Sequence, residues 1–285
     1  MALLVQFLLR LSFGLATGMA ITSSKRVTSG YFRNHLYVTL GLTTLAALLS
    51  YSVAPEAFWL ALGAALFSYI GSICWLYESP KAGKVTLVIV ACLSLLGGFA
   101  QISSTVIADA DQTYVDKGFP IPTEGLKGTA DDSEELVRRA RNTGIIAGLL
   151  RVSTLFSSGL LLGLTMAAML LGHWYLNSPT MELAPLKRLI LAMGVAVVLQ
   201  AVVSLLGLWG ELEYAGSLST QWILFLVLRW TFGLFGVGAL AWMAWQTLKI
   251  PNTQSATGIL YVAVIGTFVG ETMSLLLSAE SLFPL

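Results

Sequence analysis

The chain has 285 residues, of which 56% are hydrophobic and only 11% are charged, and its formal net charge is +1. A typical soluble domain carries about 25% charged residues, so this composition cannot cover a soluble surface, and the small net charge offers no basic field for nucleic acid. The composition excludes a soluble enzyme, a disordered protein and a nucleic-acid binder. It predicts a polytopic membrane protein whose first partner is the lipid bilayer.

Eight apolar stretches are long enough to cross a bilayer as helices, which takes about 20 residues. Their approximate bounds are 3–21, 36–54, 57–77, 85–108, 145–172, 189–210, 221–247 and 258–282. The sequence therefore predicts an all-α integral membrane bundle of about eight transmembrane helices. Residues 1–108 and 144–285 form two four-helix halves, and residues 109–143 form one longer external loop between them.

The second half of this loop has the pattern of a helix start. Asp131, Asp132 and Ser133 are candidate N-caps, and Glu134 with Arg138 is an acid–base pair at the i,i+4 spacing of a helix surface. Acidic residues before basic ones suit the dipole of a helix. We therefore expect an interfacial helix that leads into the fifth span.

Basic residues in the short loops set the orientation. Lys and Arg are concentrated in the loops 22–35, 78–84 and 174–188 and at Lys249, all on one side of the eight-span arrangement. Because cytoplasmic loops are enriched in Lys and Arg, this side is predicted to face inward. An even number of spans then places both termini outside, in an inner or plasma membrane.

Six polar residues within the spans are predicted to share one layer of the membrane. They are Arg10, Arg151, Arg229, Glu271, Gln101 and Gln200, on six different helices and in the outer half of each span. Arginines lie about six to eight residues into their spans, roughly 10 Å at a rise of about 1.5 Å per residue. Ionisable residues inside a span cost about 2.5–3.5 kcal/mol each on insertion scales, so they are candidates for function.

Glycines follow two of these arginines at helical spacing. Gly14 and Gly18 follow Arg10, while Gly159 and Gly163 follow Arg151. Small residues four positions apart allow another helix to approach closely. We therefore expect these two faces to point into the bundle.

The layer has a structural and a functional interpretation. In the structural one, Glu271 pairs with one arginine while the other two turn outward or bond backbone carbonyls. In the functional one, the excess of positive charge binds an anionic or polar head such as a quinone, a haem propionate or a lipid. The predicted protein is then a membrane subunit of a larger energy-transducing or electron-transfer complex, with other membrane subunits as partners.

Three alternatives remain open at the level of sequence. The same arginine layer could serve a transporter of small anions or metabolites, or the chain could be a membrane enzyme acting on a lipid-soluble substrate. His35 and His173, both near the predicted inner face, could instead ligate a single b-type haem or a metal, although histidine is also common in interfacial belts. No catalytic residue is predicted, and the candidate cofactors are haem b and quinone.

Overall fold

The computed structural model describes the backbone of residues 1–52, 54–116, 130–178, 181–214, 219–250 and 252–285. Within these ranges, the side chains of residues 104–142 and 214 lie outside the description. All regular structure in the described residues is helical, with no strand. This confirms the predicted all-α class.

The helices follow one another with short connections. Their bounds are α1 (Ala2–Ile21), α2 (Ser29–Ser50), α3 (Pro55–Leu76), α4 (Pro80–Asp116), α5 (Ala130–Asn177), α6 (Ala184–Tyr214), α7 (Thr220–Leu228), a π-helical segment (Arg229–Gly236), α8 (Val237–Thr247) and α9 (Thr253–Glu280). The predicted helix start at Asp131 falls at the beginning of α5, and the predicted Glu134–Arg138 pair lies outside the described side chains.

Seven helical stretches in the described part of the chain are long and apolar enough to span a membrane. They are α1, α3, α6 up to Glu213, α9, the stretches Pro80–Ser103 of α4 and Thr143–Asn177 of α5, and the continuous stretch Thr220–Thr247. The chain is therefore a multi-pass membrane protein. One predicted span, 36–54, is not among these seven. It corresponds to α2, a helix of 22 residues. Its first turns carry Arg33, Asn34 and His35, which make it more polar than its neighbours.

Each half of the chain closes into a ring of four neighbouring helical stretches. In the first half, α1 packs against α2 and α4, and α3 packs between those two helices. In the second half, α5 packs against α6 and α9, with the α7–α8 span between them. The main contact between the halves is made by α1 and α5.

The contact between α1 and α5 depends on glycine. A Cβ atom on Gly14 would lie 1.8 Å from the carbonyl oxygen of Gly159, and one on Gly163 would lie 1.9 Å from the carbonyl carbon of Gly14. A Cβ on Gly18 would lie 2.6 Å from the Cβ of Ala167. The two backbones therefore touch, which confirms that these glycine faces point into the bundle.

Lys84 fixes the relative direction of the first helices. Its ammonium group, at the start of α4, donates hydrogen bonds to the carbonyl oxygens of Met19 (3.1 Å) and Ala20 (2.6 Å), and to that of Thr22. A cation there also complements the negative end of the α1 dipole. The C-terminus of α1 and the N-terminus of α4 therefore lie at the same end of the bundle, here called the basic end. The opposite end is called the far end.

Candidate functional site

A buried ion pair joins the two halves. Arg10 of α1 places Nη1 2.5 Å from Oε1 of Glu271 on α9, and the side chains are only 6% and 5% exposed. The same Nη1 donates a hydrogen bond to Oγ of Ser158 on α5 at 3.0 Å. The pair therefore connects α1 to both helices of the second half that face it.

Arg229 is the most deeply buried charged side chain in the described residues. It is 2% exposed, and its Nε donates to Oγ of Ser204 on α6 at 3.3 Å. The charges of Glu271 and Arg10 both act on it. Two guanidinium groups and one carboxylate therefore lie in the same buried region.

The π-helical segment (Arg229–Gly236) begins at Arg229. Within it, Gly233 meets Gly270 of α9 so closely that a Cβ on Gly233 would lie 2.6 Å from the Cα of Gly270. The seventh span is therefore in backbone contact with α9 one turn beyond the arginine. Local π-helical turns inside α-helices occur frequently at functional sites.

Gln200 of α6 bonds a hydroxyl group of α5. Its Oε1 accepts a hydrogen bond from Ser157 of α5, the neighbour in sequence of Ser158. Gln200 and Ser204 lie one helical turn apart on α6. Three hydrogen-bonded groups thus lie on neighbouring helices, and we refer to their seven residues as the polar network. They are Arg10, Ser157, Ser158, Gln200, Ser204, Arg229 and Glu271.

The polar network has an excess of positive charge and of N–H donors. Its two guanidinium groups and one carboxylate leave a formal charge of +1. Among the described residues, no hydrogen-bond partner is found for Nε of Arg10, Nη2 of Arg229 or Nε2 of Gln200. All three atoms donate hydrogen bonds, and buried donors without partners are costly. An anionic group with acceptor oxygens would satisfy both the charge and the donors, and a neutral one would satisfy the donors alone.

The structure separates the six residues that the sequence placed in one layer. Arg10, Arg229, Glu271 and Gln200 come together in the polar network. Arg151 is half-buried and donates from Nη2 to the carbonyl oxygen of Leu282, beyond the end of α9. Gln101 is fully buried on α4.

This arrangement fits charge compensation for two arginines and not for the third. Arg10 has a carboxylate and Arg151 a backbone carbonyl, which are the partners that the structural interpretation predicts. Arg229 forms no ion pair within the described residues, and its one hydrogen bond given by the structure is to a hydroxyl group. Among the residues of the layer, Arg229 is therefore the one whose charge a bound ligand would compensate most.

Sequence reasoning missed the three serines of the network. Ser157, Ser158 and Ser204 stand in apolar spans, where a serine commonly bonds its own helix. Ser204 was detectable, since it follows Gln200 at the i+4 spacing that places two residues on one helix face. Gln6 was also missed. It lies one turn before Arg10 and donates to the Gly98 carbonyl oxygen of α4 at 2.9 Å.

The two predicted histidines lie in an aromatic cluster at the basic end. His35 is buried, with Nδ1 2.5 Å from the Tyr31 carbonyl oxygen and its ring 6.3 Å from that of Trp174. Because a carbonyl can only accept, Nδ1 carries the proton and Nε2 is the basic atom. His173 is exposed, with Nδ1 3.2 Å from the Tyr261 hydroxyl.

A haem or metal at these histidines stays a prediction. The described residues contain no group of three or more His, Cys, Asp or Glu side chains that could hold a metal ion.

Comparison of the chain with family models, curated proteins and solved structures finds no match.

Proposed function

We propose that this chain is an integral membrane protein that binds the head of an anionic or carbonyl-bearing molecule at the polar network. The observation that carries the proposal is Arg229, a 2% exposed guanidinium without an ion pair in the described residues and with Nη2 unpartnered. A buried charge that forms no direct ion pair keeps much of its desolvation cost. An acceptor oxygen from a bound head would remove this cost.

The surrounding donors define the chemistry of the head. Nη2 of Arg229 and Nε2 of Gln200 both offer N–H groups, and the network has one excess positive charge. A carboxylate or a phosphate complements the charge and the donors, and a quinone carbonyl complements the donors alone. The heads expected from the sequence, a quinone, a haem propionate and a lipid, all belong to these classes.

Thermal unfolding of the purified protein in detergent tests the proposal. We expect acetate, phosphate or a tail-free benzoquinone to raise the unfolding temperature in a saturable way, because a ligand that binds only the folded state stabilises it by mass action. Arg229→Lys and Gln200→Leu should abolish or strongly weaken this response. Arg151→Gln, which changes an arginine bonded to the Leu282 carbonyl, should retain it.

Two results would contradict the proposal. One is a wild-type protein that none of these heads stabilises, and the other is a response of the same size in Arg229→Lys, Gln200→Leu and Arg151→Gln. Gln200→Leu removes a neutral side chain, so it keeps the test valid if the arginine variant does not fold.

A transporter is the second candidate, and the π-helical segment favours it. Transporters often place their substrate site where a helix is interrupted between two structural repeats. Here the seventh span changes from α to π geometry at Arg229, and the two halves share one packing order. Anion uptake into proteoliposomes that is lost in Arg229→Lys would support transport. Binding of the head without uptake would support the binding function and contradict transport.

We also propose that α2 crosses the membrane, which brings the number of spans to eight. The directions of the neighbouring helices support this. The C-terminus of α1 lies at the basic end, and the C-terminus of α3 lies there too because Leu76 comes just before the start of α4. The chain between them must return to the far end. The 22 residues of α2 cover roughly 33 Å at about 1.5 Å per residue, which matches a hydrocarbon core of about 30 Å.

With eight spans, both termini lie at the far end. The predicted orientation then places the basic end inside the cell and the termini outside. The wider role, as a subunit of an energy-transducing or electron-transfer complex, is tested by whether other membrane subunits co-purify with the chain in a mild detergent.

A further inference from the structure

Residues 281–285 form an irregular segment that we call the far-end cap. It follows α9, which ends at Glu280, and it contains no helical residue. Phe283 is 3% and Leu285 0% exposed, so the cap is inserted into the protein and does not lie on its surface. A buried segment without regular structure needs other partners for its backbone groups.

The first cap residues are bonded by α7 and α5. Nε1 of Trp222 on α7 donates to Oγ of Ser281 at 3.0 Å. Nη2 of Arg151 on α5 donates to the carbonyl oxygen of Leu282 at 3.3 Å. Since α5 runs parallel to α1, which ends at the basic end, Arg151 lies in the part of α5 nearer the far end. The cap therefore closes the far end of the second half.

The middle of the cap is held by α6. The backbone N–H of Phe283 donates to Oε2 of Glu211 at 3.0 Å. Gly207 makes room for the chain, because a Cβ atom there would lie 1.9 Å from the carbonyl oxygen of Pro284. The cap and α6 are therefore in backbone contact at Gly207.

The end of the cap packs among three helices. The backbone N–H of Leu285 donates to Oγ of Ser278 on α9 at 3.0 Å. The Leu285 side chain belongs to an apolar cluster with Leu277 of α9, to which Leu208 of α6 and Leu226 of α7 also contribute. With the bonds from α5, every helix at the far end of the second half thus contacts the cap.

The cap lies about one helical turn from the polar network on α6 and α7. Leu208 of the apolar cluster follows Ser204 of the network by four positions on α6. Leu226 of the same cluster precedes Arg229 by three positions on α7. Residues three or four positions apart lie on one face of a helix. The cluster around Leu285 is therefore the next layer above Ser204 and Arg229.

The same relation holds on α9. The hydroxyl of Ser274 donates to the backbone oxygen of Leu285, and Ser274 follows Glu271 of the network by three positions. Three residues of a helix cover about 5 Å at a rise of about 1.5 Å per residue. The cap therefore covers the network from the far end on each of the three helices that carry its charged or hydrogen-bonded side chains in this half.

We infer that the far-end cap is a gate, which a head coming from the far-end side passes only when residues 281–285 release. The inference rests on the proposed function, whose site the gate controls. The backbone of the cap is bonded by the side chains of Arg151, Glu211, Ser274 and Ser278. Because these bonds are not part of a helix, the cap can release by a local opening that leaves the helices folded.

A cysteine in the polar network reports whether the gate is open. In a chain with Cys74→Ser and Cys92→Ser, the variant Ser204→Cys places a thiol beside Arg229. The probe is sulfonatoethyl methanethiosulfonate, a small anion that does not cross membranes, added to sealed vesicles of known sidedness. We expect slow labelling from the far-end side, because the cap must release before the anion can reach the thiol.

Two variants loosen the cap, and a third is the matched control. Gly207→Ala places a methyl group against the Pro284 carbonyl oxygen, and Arg151→Gln removes the guanidinium that bonds Leu282. Each should increase the labelling rate from the far-end side several-fold, and Arg151→Gln keeps the test valid if Gly207→Ala does not fold. Gly194→Ala, also on α6, should leave the rate unchanged, since a Cβ atom there meets nothing within 4 Å.

The outcomes separate the gate from the proposed function, because labelling requires no bound head. Equal labelling rates in Gly207→Ala, Arg151→Gln and Gly194→Ala overturn the gate. So does labelling that is faster from the basic end than from the far-end side, since the path to the network would then bypass the cap. Failure of acetate, phosphate and benzoquinone to stabilise the wild type contradicts the proposed function instead, whatever the labelling rates are.

Discussion

Three arginines stand in apolar spans, and their partners differ in kind. Arg10 has a carboxylate at 2.5 Å, Arg151 donates to a backbone carbonyl, and Arg229 donates to a serine hydroxyl. A carboxylate cancels the charge, a carbonyl offers only a dipole, and a hydroxyl is a weaker acceptor still. The electrostatic cost of burial is therefore offset least at Arg229, which is why a ligand is expected there and not at Arg10.

Replacing Glu271 by Gln should destabilise the protein strongly. The change leaves the guanidinium of Arg10 buried without its counter-charge, and breaking a buried pair in this way costs about 3–5 kcal/mol. The measurement is thermal or denaturant unfolding in detergent. Glu182→Gln is the matched control, because Glu182 pairs with Arg26 at 3.2 Å while 64% exposed, and exposed pairs contribute about 0–1 kcal/mol.

The double variant Arg10→Met, Glu271→Met completes this test. Removing both charges removes the uncompensated one, so the double variant should be more stable than Glu271→Gln. Equal stability losses in Glu271→Gln and Glu182→Gln would show that the buried pair is not what holds α1 against α9.

The helices themselves were predictable, because their signal is local. Apolar stretches of about 20 residues and glycines at i,i+4 spacing can be read within one segment, and the structure bears out seven of the spans and the inward-facing glycines of α1 and α5. The π-helical segment was not predictable in this way. Its residues are as apolar as those of an α-helix, and its geometry is associated with the packing of Gly233 against Gly270 of another helix.

Replacing Gly14 by Ala should separate α1 from α5. The new methyl group would lie 1.8 Å from the Gly159 carbonyl oxygen, a distance that requires the backbones to move. We expect a loss of at least about 1–3 kcal/mol, the usual cost of overpacking. Unfolding in detergent measures it.

Gly41→Ala is the control for this variant. A Cβ atom at Gly41, in α2, meets nothing within 4 Å, and alanine favours a helix over glycine by about 1 kcal/mol. The control should therefore be neutral or stabilising. A Gly14→Ala variant as stable as Gly41→Ala would contradict the close contact between the halves.

At the scale of the whole molecule, the sequence did not predict which spans become neighbours. Counting residues from the ends of spans places Arg151 and Arg229 at similar levels, yet one bonds a carbonyl beyond α9 and the other lies in the polar network. Which spans become neighbours depends on how the helices pack in the ring, and no single span encodes this. The serines of the network were missed for the same reason, since their partners lie on other helices.

The crossing of α2 is testable with cysteines at its two ends. In a chain whose native cysteines are replaced (Cys74→Ser, Cys92→Ser), Lys25→Cys lies before α2 and Glu56→Cys after it, and both positions are exposed. A membrane-impermeant maleimide applied to sealed vesicles of known sidedness should label the two cysteines from opposite sides, because α2 lies between them.

Lys81→Cys, which follows α3, provides the internal reference. It should be labelled from the same side as Lys25→Cys, since α1 and α3 both end at the basic end. All three should react equally after detergent is added, which shows that access and not reactivity decides the pattern. Labelling of Lys25→Cys and Glu56→Cys from one side would mean that α2 does not cross, and the two termini would then lie on opposite sides of the membrane.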